Sequence, residues 1–311
     1  MGRYPFKEKA TEYMEAKRGC IAQTSWDVQE RRYRRIERDL IALNKQGLVS
    51  TLSPAKMTVE DVKAFIISRK EAGVGSSDIN HDITALSQLL IFCGNNAVGT
   101  CISKNPGLKP SKRQERLDPL ATTTYEKILR RWEEVDHNSY FAVRPLAMVL
   151  MYIGTGARNK ELRLADVSDI DTQAWQIHLR HVKGEESYGH PRYVPIPQEL
   201  RPVVLNYLEV RLAWLISHKV SSNALFFATG EPYGHLSGNS VRKLKAKVEE
   251  QIGEEFELRD CRRAFGQFYL DKGLEISKVS VLMGHDTTKT TEEYYCRNSE
   301  TEAIKEASSL W

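Results

Sequence analysis

Apolar residues recur at helical spacing from Thr24 to Asn44, among them Trp26, Tyr33, Ile36, Leu40 and Leu43, and Gly47 follows as a stop. Thr58 precedes VEDVKAFIISRK, which carries its acids early and its basic cluster late, where the helix dipole favours them. A hydroxyl residue at that place predicts an N-cap. Residues 78–93, DINHDITALSQLLIFC, predict a further helix ended by GNN. The first part of the chain therefore reads as a small helical bundle.

Residues 103–119, SKNPGLKPSKRQERLDP, interrupt that pattern with three prolines, one glycine and a dense run of charge. They predict a linker, and a hinge there lets two domains close around a partner. Beyond it TTTYEKILRRW resumes the helical period, and FAVRPLAMVLMYIG reads as a buried helix. The period changes over 175–196, where WQIHLRHV and RYVPIP are β-rich and KGEESYGHP between them is turn-like. This predicts a hairpin. Later segments return to helical spacing, with ALFFA as a short strand candidate. The fold class expected is mainly α with a small β-hairpin or sheet, in two domains: 1–105, a linker over 106–119, 120–298, and a tail over 299–311.

With 311 residues the chain is long enough for two cores. No stretch approaches the ~18–20 apolar residues of a membrane span, and the N-terminus has no apolar core of signal-peptide type. The expectation is a cytoplasmic protein with no membrane partner. Five cysteines, an odd number without CxxC pairing, argue against a disulfide framework and against a zinc site. They read as reduced, mostly buried thiols. Residues 1–118 carry 20 Lys and Arg against 14 Asp and Glu, while the remainder carries 25 against 27. The N-terminal part is thus the basic one, with a local run RRYRR of Arg31, Arg32, Arg34 and Arg35. A basic helix face suits phosphate contacts; the alternative is a solvated face.

Candidate chemistry lies further along. Arg158 sits in TGARNKEL, where glycine ends one helix and the next begins. Its planar guanidinium can grip two phosphate oxygens at once, or it can pair with Glu161 one turn on. Arg259, Arg262 and Arg263 lie in LRDCRRAFGQFYLDKG, where the spacing of Arg259 and Arg262 puts both on one helix face. Arginines aimed inward are costly unless an anion meets them; a network with Asp260 or Glu257 is the alternative. Lys183, on the hairpin turn, can reach a leaving oxygen as a general acid or simply be solvated. His285, in MGHD, can donate to or orient a phosphate oxygen, or serve as a cap. Tyr294 follows two to three helical turns later. A phenol is a weak nucleophile at neutral pH, with an ordinary pKa near ~10, but converging cations favour the phenolate.

The ordered set TGARNKELRLADVSDID, hairpin lysine, LRDCRRAFGQ and LMGHDTTKTTEEYY resembles the tyrosine site-specific recombinases, or phage-type integrases. The match covers most of the chain. Residues 1–105 look like that family's helical core-binding domain and 120–298 like its catalytic domain, together a two-domain DNA clamp. The LRDCRRAFGQ motif looks like that of an archaeal or archaeal-virus branch. The resemblance implies Arg158, Lys183, Arg259, Arg262, His285 and Tyr294 as catalytic positions, with Glu161 in support. Two departures stand out. The family usually has histidine, two variable residues and arginine, where this chain has Arg259-Asp260-Cys261-Arg262. An alternative register makes Arg259 the family arginine, but Ala264, Phe265 and the spacing to His285 favour the first. A titratable imidazole has then become a guanidinium that exchanges no protons near neutral pH. The hairpin loop is also longer than the family's compact form.

What the resemblance implies is strand exchange on double-stranded DNA. Tyr294 attacks a phosphodiester, leaving a 3′-phosphotyrosine and a free 5′-hydroxyl, and a 5′-hydroxyl from a partner duplex completes the exchange through a Holliday junction. Neither cofactor, ATP nor metal is implied, because the phosphotyrosine conserves the bond energy. Four protomers act on two sites. In the tail, Ala303, Ile304, Ala307 and Trp311 recur at helical spacing, which suits docking on a neighbouring subunit or folding back. Competing readings are a type IB topoisomerase and a DNA-binding relative that has lost the chemistry.

Overall fold

The structure, a computed structural model, describes residues 5–111, 118–182, 184, 189–285, 287–295 and 307–308. The chain divides into two compact units, Met1–Gln114 and Glu115–Trp311.

In the first unit, α1 (Pro5–Ala16), α2 (Gln23–Lys45), α3 (Val59–Glu71), α4 (Ser76–Phe92) and α5 (Ala97–Lys104) surround one apolar core. From α2 it takes Tyr33, Ile36, Leu40 and Leu43, the three- and four-residue spacing that lines one side of a helix. Thr58 caps α3 as expected. Its hydroxyl accepts from Asp61 N at 3.2 Å while the Asp61 carboxylate accepts from Thr58 N at 2.8 Å. The first part of the proline-rich segment is fastened to this unit. Pro106–Leu108 forms a 3₁₀ turn, Lys70 Nζ donates to Gly107 O at 3.0 Å, and Asn80 Nδ2 donates to Pro110 O at 3.2 Å.

The second unit is built around α7 (Tyr140–Thr155), which follows α6 (Thr122–Glu134) and is buried along nearly its whole length from Val143 to Thr155. A short α8 (Asn159–Arg163) leads to a three-stranded antiparallel sheet of β1 (Ile170–Asp171), β2 (Gln176–Leu179) and β3 (Arg192–Pro195) in the order β1-β2-β3. The expected hairpin is present, with Ile177 opposite Val194 and Leu179 opposite Arg192. Segment 224–228 is not a strand. It makes two isolated bridges, Asp166 with Ala224 and Phe227 with His235, and Leu225 to Phe227 between them are all buried. The remaining helices are α9 (Arg201–His218), α10 (Gly238–Ile252), α11 (Leu258–Asp271), α12 (Ile276–Met283) and α13 (Thr288–Tyr295). α9, α10 and α11 pack on α7, and α13 packs on α11 and α12.

Among the described residues no helix is long and apolar enough to cross a membrane. Cys101 and Cys261 are buried, Cys93 is half-buried and Cys20 is exposed, all as free thiols, while Cys296 lies outside the described residues.

Candidate active site

Two helix ends create the site. α7 stops at Gly156, whose φ of +58° is left-handed and whose backbone passes so close to Phe265 that a Cβ would lie 2.5 Å from its ring. α12 stops at Gly284 with φ +61°, where a Cβ would lie 2.7 Å from Arg192 Nη1. Only glycine fits either place. The first turn aims Arg158, the residue before α8; the second presents the last carbonyls of α12.

Three guanidiniums from three different elements cap three successive carbonyls at that helix end. Arg192 Nε donates to Leu282 O at 2.7 Å, Arg262 Nη2 donates to Met283 O, and Arg158 Nη2 donates to Gly284 O at 2.9 Å. Cations are favoured there because the helix C-terminus is the negative pole. Arg262 also donates through Nη1 to Gly156 O at 2.5 Å, so one side chain joins both glycine turns.

Among the described residues Glu161 is the carboxylate between them, and its side chain is fully buried. It accepts from Arg158 Nη1 at 2.8 Å and Arg158 N at 2.8 Å, and from Arg192 Nη1 at 3.1 Å and Nη2 at 2.9 Å. Burial pushes the Glu161 carboxyl up, but hydrogen bonds and charge from Arg192, and then from Arg158, more than offset it and hold it at about 2. Glu161 is therefore ionised, and the three arginines exceed it by two positive charges.

His285 completes the group. Its Nε2 lies 3.1 Å from Arg262 Nη2 and its Nδ1 2.9 Å from the hydroxyl of buried Thr291. Burial, then the charges of Arg262, Arg158 and Arg192, drop its pKa to about 3, so the ring is neutral.

The structure brings together Arg158, Arg262, His285 and Glu161, four of the residues singled out in the sequence. Arg158 pairs with Glu161 and stays about one-third exposed. Arg259 lies one turn before Arg262 on α11 and is exposed. Of the alternative network with Asp260 or Glu257, the structure shows Asp260 accepting from Arg263 and from Glu257 N, the latter at 2.8 Å. Position 294 lies on α13, three residues beyond Thr291, and position 183 lies outside the described residues. In the first unit Arg32 and Arg35 are committed to Asp82, whereas Arg31 and Arg34 stay at the surface, Arg34 paired with Glu30.

Sequence reasoning passed over Arg192 and Thr291. A signal for Arg192 exists. In RYVPI the alternation places Arg192 with Val194 and Ile196 on the inward side, and a charge in the inward register needs a buried partner. Thr291 carries no comparable signal, being one hydroxyl in a polar run.

Residues 116–302 match the phage integrase family. Among curated proteins the chain is 25% identical over 248 residues to tyrosine recombinase XerC of Oceanobacillus iheyensis, covering 77% of this chain and 76% of that one. It is 26% identical over 238 residues to tyrosine recombinase XerA of Pyrococcus furiosus, covering 76% of each. Its fold is similar to the Tn1549 transposon integrase solved with transposon right-end DNA, with a TM-score of 0.67 at 15% identity over 97% of this chain and 99% of that one. A lambda integrase dimer bound to a COC′ core site gives the same TM-score at 17% identity, over 94% and 78%.

Proposed function

This chain belongs to the phage integrase family and is a tyrosine recombinase, an enzyme that breaks and rejoins DNA strands; on that premise we propose that Tyr294 is its nucleophile and that Arg158, Arg262 and His285 receive the scissile phosphate. One observation carries the assignment. Among the described residues Arg158, Arg192 and Arg262 crowd the end of α12 with a single carboxylate between them. Such an excess of buried and half-buried cation is stabilised when an anion completes it, and a phosphodiester is the anion this family cleaves.

In the proposed step the Tyr294 phenol gives up its proton to solvent and its oxygen forms a bond to phosphorus while the bond to the 5′ oxygen breaks. Arg158 and Arg262 neutralise the equatorial oxygens, each preorganised donor being worth about 10²–10³ in rate. Arg262 is already rigid, because its guanidinium is held by Gly156 O and Met283 O. Lys183, by its place in the motif, protonates the departing 5′ oxygen, and Arg259 adds charge without exchanging protons. Glu161 supports Arg158. Arg31 and Arg34 contact the phosphate backbone. Four protomers assemble on two DNA sites in the cytoplasm, with the tail over 299–311 docking on a neighbour.

The test is a denaturing-gel search for a covalent complex. Protein in EDTA is mixed with nicked duplexes taken from the region flanking its own gene, and the adduct is located by mass spectrometry. An adduct on Tyr294 that is lost in Tyr294→Phe and kept in Tyr295→Phe is the expected result. An adduct on Tyr295 overturns the assignment of the nucleophile.

A further inference from the structure

Arg192 belongs to β3, not to any of the motifs that brought Arg158, Arg262 and His285 to notice. Its guanidinium is nonetheless spent entirely inside the site. Nε donates to Leu282 O at 2.7 Å, Nη1 to Glu161 Oε1 at 3.1 Å and Nη2 to Glu161 Oε2 at 2.9 Å. Its side chain is 8% exposed, so it has little access of its own to DNA.

The Glu161 carboxylate divides evenly. Oε1 is shared by Arg192 Nη1 and Arg158 Nη1, and Oε2 by Arg192 Nη2 and the backbone N–H of Arg158. Each oxygen therefore has one bond toward Arg192 and one toward Arg158. Without Arg192, a fully buried carboxylate would face a single guanidinium, that of Arg158. A buried unshared carboxylate binds its one counter-ion tightly, and the Arg158 charge would be neutralised from within rather than by a phosphate. A two-point pair to Arg192 satisfies the carboxylate first and leaves Arg158, one-third exposed, with charge to offer outward.

We propose that Arg192 is a positioning residue for DNA cleavage: by occupying Glu161 and capping Leu282 it keeps the Arg158 guanidinium available to the scissile phosphate. This rests on Arg158 meeting that phosphate, as proposed above. The tight fit supports it, since the Arg192 guanidinium occupies the space that any Cβ at position 284 would need. So does the placement of Arg192 at the start of β3, the second strand of the β2-β3 hairpin. The same contact thereby ties the hairpin to the turn that carries His285.

The experiment compares covalent-complex formation on a nicked duplex, at saturating protein, for wild type, Arg192→Met, Glu161→Gln, the Arg192→Met/Glu161→Gln double variant and Arg158→Ala. Binding affinity for the same DNA and the thermal midpoint are measured alongside. Arg192→Met should slow cleavage about tenfold or more while binding changes by no more than about threefold. The double variant should recover most of that loss, because the unshared carboxylate is gone. A merely structural Arg192 makes the opposite prediction, that the double variant is as slow as or slower than Arg192→Met, and that result overturns the proposal. If Arg192→Met does not fold, Arg192→Lys is read in its place. A lysine keeps the charge but cannot make the two-point pair, and an unchanged cleavage rate for it overturns the proposal equally. Arg158→Ala separates the two layers. Wild-type cleavage by Arg158→Ala sinks the placement of Arg158 at the phosphate, whereas a slow Arg158→Ala with no rescue in the double variant sinks only the role of Arg192.

Discussion

Arg262 donates through Nη2 to His285 Nε2 at 3.1 Å, and that contact assigns the proton on the imidazole. A guanidinium has donors only, so Nε2 must accept, and the ring proton sits on Nδ1, which donates to the Thr291 hydroxyl at 2.9 Å. The histidine of the MGHD motif is thus a neutral ring in one tautomer, wedged between an arginine and a helix.

A pH dependence of stability follows. The His285 pKa is about 3 in the folded chain and near ~6.5 when unfolded. Between those values the unfolded chain takes up a proton that the folded one refuses, so stability is full above the upper value and falls as pH drops through the window. Denaturant melts from about pH 7 to about pH 4 should show wild type losing more stability than His285→Gln. Parallel losses in the two proteins would count against the assignment.

On the proposed placement of Arg158 and Arg262 at the phosphate, removing either should act on the chemical step. Arg158→Ala is expected to slow covalent-complex formation by about 10²–10³, with a smaller effect on DNA binding. Arg262→Ala should match it in rate and also lower stability by about 1–3 kcal/mol, since Gly156 O and Met283 O lose their donor inside the protein. Thermal melts of the two variants, read beside single-turnover cleavage, check the difference.

Gly284→Ala should be costlier than an ordinary left-handed glycine replacement. Gly273, with φ +81° and nothing within 4 Å of an added Cβ, carries the backbone penalty alone, about 1–2 kcal/mol. Gly284 adds a collision with the Arg192 guanidinium, which cannot retreat without releasing Glu161. A thermal midpoint lower for Gly284→Ala than for Gly273→Ala, together with slower cleavage, is the expected outcome; equal midpoints refute it.

The RRYRR run should separate by role. Asp82, 1% exposed, holds Arg32 at 3.0 Å, Arg35 at 2.5 Å and Arg69 at 2.9 Å. Asp82→Ala leaves Arg32 and Arg35 without their acid, while Arg69 keeps Asp39 at 3.1 Å, and should cost about 3 kcal/mol. Arg31→Ala and Arg34→Ala should leave stability within about 0.5 kcal/mol while each lowers the salt dependence of DNA binding by roughly one counter-ion. Urea melts and binding titrations across salt concentrations decide both halves.

How much of this was legible in the sequence depends on how local each cause is. The 3.6 period and its caps marked α2, α3 and α4, and the switch to period two marked the β2-β3 hairpin, because burial of one face imposes those repeats on neighbouring residues. The helix α7, buried on every side, was marked by its apolar run. The short ALFFA run misled for the same reason, since three consecutive buried residues satisfy a strand pattern although the backbone pairs only at isolated points. Motif spacing was enough to single out Arg158, Glu161, Arg262 and His285.

What each of them does was decided by tertiary structure. The acceptor for Arg158 Nη2 lies 126 positions away, that for Arg262 Nη1 106 away and that for Arg192 Nε 90 away. RRYRR reads as one basic patch along the chain, yet α4 brings Asp82 to Arg32 and Arg35 and divides it. Arg192 had no motif to mark it. Hydrogen bonds and ion pairs act over a few ångströms, so only the folded chain determines which distant carbonyl or carboxylate comes within their reach.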